Sequence, residues 1–215
     1  MTPKIYHVHP LVAGPLAEWP RHLARCRAMG FDSVASAPLF APGAAGDIFL
    51  TADHERLHPA LGWDGPADGG IAQLAETCAQ HGLRLILDLV ADRVAVDAAI
   101  RERQPAWFEA HETGAEPPDP RRKPRSREAA EARFDTRDPA DRLAEWWAER
   151  VSRLARAGAA GFRCLNPQHV PGNVWRQIIG TARDAIADCL FIAWTPGVPR
   201  EAIGSLAGLG FDFVA

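Results

Sequence analysis

The chain has 215 residues, of which 47% are hydrophobic and 24% are charged, a composition typical of globular proteins. Its formal net charge of −3 gives no overall field that would attract nucleic acid or an anionic membrane. No apolar run approaches the length of a bilayer span, and the N-terminal residues carry no secretory signal. We therefore expect a cytoplasmic domain that has neither a nucleic-acid partner nor a membrane partner.

Six β-rich runs alternate with five amphipathic helical stripes along the chain. The run at residues 83–90 is almost entirely apolar, as expected for a parallel strand that is covered on both faces. Two stretches, residues 39–70 and 91–137, are expected to be irregular because they are rich in Gly, Pro, Ala or charge. Strands are expected at residues 5–10, 31–38, 83–90, 158–164, 190–194 and 211–215, and helices around residues 16–26, 71–78, 143–154, 174–186 and 202–209.

This strict alternation predicts an α/β fold with a parallel sheet. We expect a partial TIM-type (β/α) barrel of about six of the eight strands, with a short irregular insertion after the third strand. Residues 1–215 would form a single incomplete domain, with residues 92–140 as an inserted loop or subdomain. A six-strand arc leaves two unpaired edges, so we expect a longer polypeptide or a partner to complete the barrel. A doubly wound open sheet is the alternative, although no GxGxxG follows the first strand.

Three segments resemble conserved regions of the α-amylase superfamily. RLILDLVADRV around Asp88 resembles the first region, GFRCLNPQHVP at residues 161–171 the second, and LFIAW at residues 190–194 the third. Within the superfamily, the chain is most similar to the bacterial α-1,4-glucan:maltose-1-phosphate maltosyltransferases. HPALG at residues 58–62 resembles their HPELG turn, and QPAWF at residues 104–108 resembles their HPEWF string.

The resemblance implies a chemistry that needs two carboxyl groups about 5–5.5 Å apart. Enzymes of the superfamily place the nucleophilic Asp two residues after a conserved Arg, where this chain has Leu165. Their general acid is a Glu at the end of the fifth strand, where this chain has Trp194. Neither side chain can attack an anomeric carbon or protonate a glycosidic oxygen. No catalytic site is therefore expected to be intact, and the third acid would follow a seventh strand, beyond residue 215.

Five residues remain candidates for substrate binding. For Arg163, a structural ion pair at the barrel mouth, with Asp88 as a possible partner, is favoured over ligand binding. Asn166 could contact a sugar or phosphate, but a turn or cap role before Pro167 is favoured. Trp63 and Trp107 lie in loop or loop-edge positions and could stack against a sugar.

The remaining aromatic and titratable residues have simpler interpretations. Trp194 could fill the space of the missing acid, and Trp147 or its neighbour should belong to the core. Asp92 and Arg93 replace the superfamily's Asn-His pair, which puts a substrate contact there in doubt. For His7 and His9, which have the same parity on the first strand, interior packing is favoured over a metal pair. For the basic run of Arg121, Arg122, Lys123, Arg125 and Arg127, a solvated loop is favoured over phosphate binding. No third ligand accompanies the loop histidines His54 and His58.

The four cysteines form neither a CxxC pair nor a spacing typical of metal ligands. We expect all four to be buried and to behave as small apolar residues: Cys26, Cys78, Cys164 and Cys189. We expect no metal site and no cofactor.

Two hypotheses about function follow. In the first, the chain is part of a maltosyltransferase-like or amylase-like protein whose catalysis is lost locally or supplied elsewhere, with α-glucan or maltosyl phosphate as a possible ligand. In the second, it is a non-catalytic α-glucan-binding or assembly domain of a larger glycogen-metabolism protein.

Overall fold

A curled parallel sheet of six strands forms the centre of the computed structural model, which describes residues 2–110, 127–135 and 137–215. The strands are β1 (Ile5–Val8), β2 (Ser33–Ser36), β3 (Phe40–Pro42), β4 (Thr51–Leu57), β5 (Arg84–Leu89), β6 (Arg93–Ala95), β7 (Phe108–Ala110), β8 (Ala129–Ala132), β9 (Gly161–Leu165), β10 (Leu190–Trp194) and β11 (Phe213–Val214). The helices are α1 (Pro10–Ala13), α2 (Trp19–Ala28), α3 (Ala67–Gln80), α4 (Ala99–Arg103), α5 (Arg137–Arg156), α6 (Gly172–Ala185) and α7 (Arg200–Gly204).

The central sheet has the order β1-β2-β5-β9-β10-β11, and every neighbouring pair is parallel. Each of these strands therefore lies beside the next parallel strand along the chain. A doubly wound sheet reverses direction at a switch point, whereas a barrel adds its strands sequentially. The partial barrel is confirmed, and all six expected strands are present.

The two stretches expected to be irregular contain regular structure. Residues 39–70 include the antiparallel pair β3-β4, and residues 91–137 include α4 and the small antiparallel sheet β6-β8-β7. The interpretation as loops is wrong for these elements, because their strands have few apolar residues in alternation: β4 reads TADHERL and β8 reads AAEA. The PPDPRRK segment at residues 117–123 lies outside the described residues.

The two faces of the central sheet bury different residues. The helix-facing side joins the main core, which includes Val34, Leu85, Phe162 and Phe191. Side chains of opposite parity form a separate apolar cluster around Ala35, Ile86 and Ile192. Because side chains alternate along a strand, that second cluster marks the concave face of the sheet. On each strand, the next inward-facing position, two residues further along, lies near the carboxyl end.

Three buried tryptophans anchor the helices to the sheet: Trp19 in α2, Trp147 in α5 and Trp175 in α6. The assignment of Trp147 to the core is thereby confirmed. The indole N–H of Trp175 donates to the carbonyl of Pro167 at 2.9 Å, which ties α6 to the segment that follows β9. No helix in the described part of the chain is long and apolar enough to cross a membrane.

All four cysteines are free thiols and are buried, as their spacing suggested. Burial raises the pKa of each thiol, to about 12 for Cys78 and to about 11 for Cys189. Since the thiolate is the reactive form, these side chains act as packing residues at neutral pH.

The β3-β4 hairpin packs on α5 through His54. The imidazole is buried with its ring centroid 5.6 Å from that of Phe40, 5.2 Å from that of Trp146 and 5.4 Å from that of Trp147. Burial, followed by the positive charge of Arg150, lowers the pKa of His54 to about 3. His54 is therefore neutral in the folded protein at pH values where an exposed histidine is partly charged.

Acidification should destabilise the fold through His54. A folded-state pKa below the unfolded value of 6.5 means that the contribution to stability is complete above pH 6.5 and is lost as the pH falls towards 3. Between pH 7 and pH 5 the loss should be about 2 kcal/mol. The measurement is urea unfolding of the wild type and of His54→Phe across this range. His54→Phe should lack this part of the pH dependence, whereas the exposed His9→Gln should retain it. An equal pH slope in all three proteins would contradict the assignment.

A matched pair of glycine substitutions tests the packing of β9 against β10. A Cβ on Gly161 would lie 2.6 Å from both the Cβ and the carbonyl oxygen of Leu190, whereas a Cβ on Gly180 in α6 would meet nothing within 4 Å. Gly161→Ala should lower the free energy of unfolding by about 1–3 kcal/mol through overpacking. Gly180→Ala should raise it by up to about 1 kcal/mol through helix propensity. Chemical denaturation measures both, and changes of the same sign would show that β9 and β10 are not packed as described.

Candidate functional site

A buried ion pair occupies the concave face at the carboxyl ends of β5 and β9. Asp88 and Arg163 lie directly opposite each other in the register of the two strands. Arg163 donates from Nε to Oδ1 at 2.7 Å and from Nη2 to Oδ2 at 2.6 Å. The Asp88 side chain is completely buried, and that of Arg163 is 14% exposed. The ion pair expected between Arg163 and Asp88 is present, in the bidentate geometry that makes such pairs strong.

Two further side chains enclose the Arg163 guanidinium. Nη2 of Arg163 lies 2.7 Å from Nε2 of His7 on β1, and since a guanidinium can only donate, Nε2 must accept. The same Nε2 lies 3.6 Å from Asp88 Oδ2. Cζ of Arg163 lies 4.6 Å from the ring centroid of Trp194, a cation–π contact. We call His7, Asp88, Arg163 and Trp194 the mouth cluster.

Leu165 and Trp194 are direct partners in the register of β9 and β10. Neighbouring strands are about 4.8 Å apart, which is close to the separation of about 5–5.5 Å that a retaining pair of carboxyl groups requires. The backbone therefore holds the two positions at a suitable spacing, but the side chains are isobutyl and indole. Trp194 is 39% exposed, so it covers Arg163 without filling a closed cavity.

Asp92 is the centre of a second polar cluster beyond the end of β5. Its Oδ2 accepts from Arg93 at 2.7 and 3.1 Å and lies 3.1 Å from Nδ1 of His169. Burial alone would lower the pKa of Arg93, but the hydrogen bonds and charge of Asp92 raise it. Asp92 Oδ1 is buried and has no hydrogen-bond partner among the described residues. Sequence reasoning missed His169, because 77 positions separate it from Asp92 and nothing in the sequence pairs them.

Asn166 serves the chain turn that follows β9. Its φ is 49°, and it is the sole residue other than glycine with a positive φ in the described part of the chain. Asn is among the few residues that adopt this left-handed conformation readily. A 3₁₀ turn over Pro167–His169 begins after it, without a hydrogen bond from the Asn166 side chain. The turn interpretation is confirmed, although the side chain itself caps nothing.

The two tryptophans considered for sugar stacking lie outside the mouth cluster. Trp63 donates from its indole N–H to the Pro66 carbonyl at 2.9 Å, and its ring lies against the glycines at the start of α3. Trp107 is 8% exposed and precedes β7. Within the described contacts, neither ring meets His7, Asp88, Arg163 or Trp194. These positions favour packing roles for both residues.

The remaining candidates gather no ligand set. Nδ1 of His58 accepts from the Ala60 amide at 3.1 Å, and His9 is exposed. Within residues 2–110, 127–135 and 137–215, no three His, Cys, Asp or Glu side chains are arranged to hold a metal ion. The basic residues Arg121, Arg122, Lys123 and Arg125 lie outside the described residues.

Comparison with known proteins connects this geometry to a family. No family model matches the sequence. The chain is 34% identical over 211 residues to an α-1,4-glucan:maltose-1-phosphate maltosyltransferase of Burkholderia pseudomallei, a match that covers 98% of this chain and 19% of that protein. The resemblance to the α-amylase superfamily is confirmed. The chain therefore spans about a fifth of its curated relative.

Solved α-amylase structures share the fold. The α-amylase of Geobacillus thermoleovorans, solved in complex with acarbose, matches with a TM-score of 0.78 and 16% identity, over 99% of this chain and 51% of that one. A maltogenic α-amylase of Thermotoga neapolitana matches with a TM-score of 0.71 and 20% identity, over 89% of this chain and 45% of that one. At these identities the likeness concerns the fold, and it places the mouth cluster at the carboxyl ends of α-amylase-type barrel strands, the face on which barrel enzymes carry their sites.

Loss of Arg163 should cost far more stability than loss of an exposed arginine in the same sheet. Arg163→Met leaves the Asp88 carboxylate buried without its counter-charge, and we expect a loss of about 3–5 kcal/mol in the free energy of unfolding. Arg84→Met removes an exposed pair with Asp32 at 3.6 Å and should cost less than about 1 kcal/mol. Urea unfolding compares the two. Similar losses for both variants would contradict the buried-pair assignment.

Proposed function

We propose that this chain is a non-catalytic α-amylase-type barrel segment of a maltosyltransferase-like polypeptide in the cytoplasm. The observation that supports this proposal is the pairing of Leu165 with Trp194 across β9 and β10, at the positions where relatives hold the nucleophile and the general acid. In this proposal residues 1–215 are one barrel domain, and residues 92–140 are an insertion. Further strands of a longer polypeptide complete the barrel, as the 19% coverage of the curated relative suggests.

Two carboxylates of the described residues near the carboxyl end of β5, Asp88 and Asp92, are engaged in other contacts. Asp88 is completely buried, and both of its oxygens accept hydrogen bonds from Arg163. A nucleophile must reach the anomeric carbon, so Asp88 would first have to break this pair. Asp92 is also buried and binds Arg93 and His169 through Oδ2. The Asp92 carboxylate is thus engaged in the polar cluster around Arg93 and His169.

The retained spacing does not argue for activity. The distance between positions 165 and 194 follows from parallel pairing, which depends on backbone hydrogen bonds and on apolar packing below. Leucine and tryptophan satisfy those requirements as well as two carboxylic acids do. They also avoid placing two like charges close together at the mouth, which would raise the pKa of at least one carboxyl group.

The test of catalytic loss is an assay with maltose 1-phosphate and glycogen. The purified chain should show no phosphate release or glycogen extension above a blank without protein. Leu165→Ala and Trp194→Ala should give the same null result. Turnover by the wild type that persists in both variants would place a working site elsewhere in the chain and contradict the proposal.

Binding of α-glucan without cleavage is a second candidate function, and the exposure of Trp194 favours it. One face of the indole covers Arg163, while 39% of the residue is open to solvent at the mouth beside the similarly exposed His7. Apolar ring faces with a few polar groups nearby are typical of small-ligand sites.

Calorimetry with maltoheptaose distinguishes the two candidates. If the mouth binds glucan, the wild type should release heat on titration, and Trp194→Ala should weaken binding by about tenfold or more. Trp63→Phe is the matched control, because that ring packs against α3 away from the mouth cluster. Absence of heat with every protein would exclude the binding function and leave the purely structural one.

A further inference from the structure

A small cavity lies between the carboxyl end of β5, the β3-β4 hairpin and α5. Its volume is about 20 Å³, and its wall includes Phe40, Thr51, His54, Trp147 and Arg150, together with residues 87–90. It opens on the helix-facing side of the sheet, whereas the mouth cluster occupies the concave side. A cavity needs roughly 10–15 Å³ of this kind of volume to hold a water molecule, so the space fits one small ligand.

Arg150 brings a positive charge to this cavity. The side chain is 2% exposed, and Nη1 donates to Glu55, a carboxylate that is half exposed and also accepts from Arg153. Nε and Nη2 of Arg150 are buried and have no partner within the described part of the chain. Burial lowers the pKa of Arg150, although Glu55 and Asp68 oppose the shift.

The fully buried side-chain atoms without a partner in the residues that line the cavity are all donors. They are three buried nitrogen atoms, Nε and Nη2 of Arg150 and Nε1 of Trp147. No described side chain that lines the cavity carries a buried acceptor without a partner. Asp88 contributes to the wall, but both of its carboxylate oxygens are bonded to Arg163. A water molecule in this space would have to donate its protons to acceptors such as the Thr51 hydroxyl or the neutral His54 ring, whereas an ion that only accepts needs none.

We infer that this cavity binds a small monovalent anion of halide size, held by Arg150 and the indole N–H of Trp147. The aromatic side chains complete the site, because their positive ring edges and low polarity suit a weakly hydrated anion. Charge-assisted hydrogen bonds from a guanidinium are stronger than those between neutral groups, so Arg150 supplies most of the affinity. The site would brace the hairpin against α5, and it is independent of the function proposed for the mouth.

Thermal unfolding of the full chain in sodium salts at constant ionic strength tests the site. Chloride and bromide should raise the Tm in a saturable way relative to gluconate, which is too large for the cavity, because a ligand of the folded state stabilises it by mass action. Arg150→Met should weaken the apparent affinity by about tenfold or more, and Trp147→Phe by a smaller factor. Arg153→Met also removes a contact to Glu55, but it does not line the cavity and should bind as the wild type does.

Bromide-soaked crystals locate the ion directly. An anomalous difference peak within hydrogen-bonding distance of Arg150 would support the proposal even if a variant failed to fold. Equal Tm shifts in chloride and gluconate would overturn it. So would bromide crystals whose cavity holds only water, or halide stabilisation that Arg150→Met leaves unchanged.

Discussion

The bidentate pair between Asp88 and Arg163 joins two neighbouring strands at the mouth of this partial barrel. Both residues occupy inward positions on adjacent parallel strands, one layer above the apolar cluster of Ala35, Ile86 and Ile192. A charge at that depth is tolerated only when it is paired and hydrogen-bonded. The pair therefore adds a side-chain link between β5 and β9, and its arginine also contacts His7 and Trp194.

The same pair is also relevant to the proposal that the segment is non-catalytic. The resemblance implies an acidic residue at position 165, two residues after Arg163. Here the neighbouring position is Leu165, and the compensating interactions come from Asp88 at 2.6 and 2.7 Å and from the π face of Trp194 at 4.6 Å. With leucine at position 165 and tryptophan at position 194, the Arg163 guanidinium is thus still paired.

How much the sequence could predict depended on the range of the interactions involved. Alternating apolar runs and helical stripes located the six parallel strands, because each element buries a complete face. The hairpin β3-β4 and the sheet β6-β8-β7 escaped detection, since short strands rich in Ala and charge are stabilised by contacts distant in sequence. The pair of Asp88 and Arg163 was expected from the resemblance, whereas contacts such as His169 with Asp92 required the fold itself.

The two arginines beside β5, Arg163 and Arg150, differ in how their guanidinium groups are hydrogen-bonded within the protein. Arg163, on the concave side, satisfies Nε and Nη2 with Asp88 and His7 and shields its flat face with Trp194. Arg150, on the helix-facing side, donates from Nη1 to Glu55, whereas its Nε and Nη2 have no partner among the described residues and its side chain lines a cavity. Buried donors without partners are rare in native proteins because each costs free energy. The asymmetry therefore points to Arg150 as the residue that a bound ligand would contact, on the face of the sheet opposite the mouth cluster.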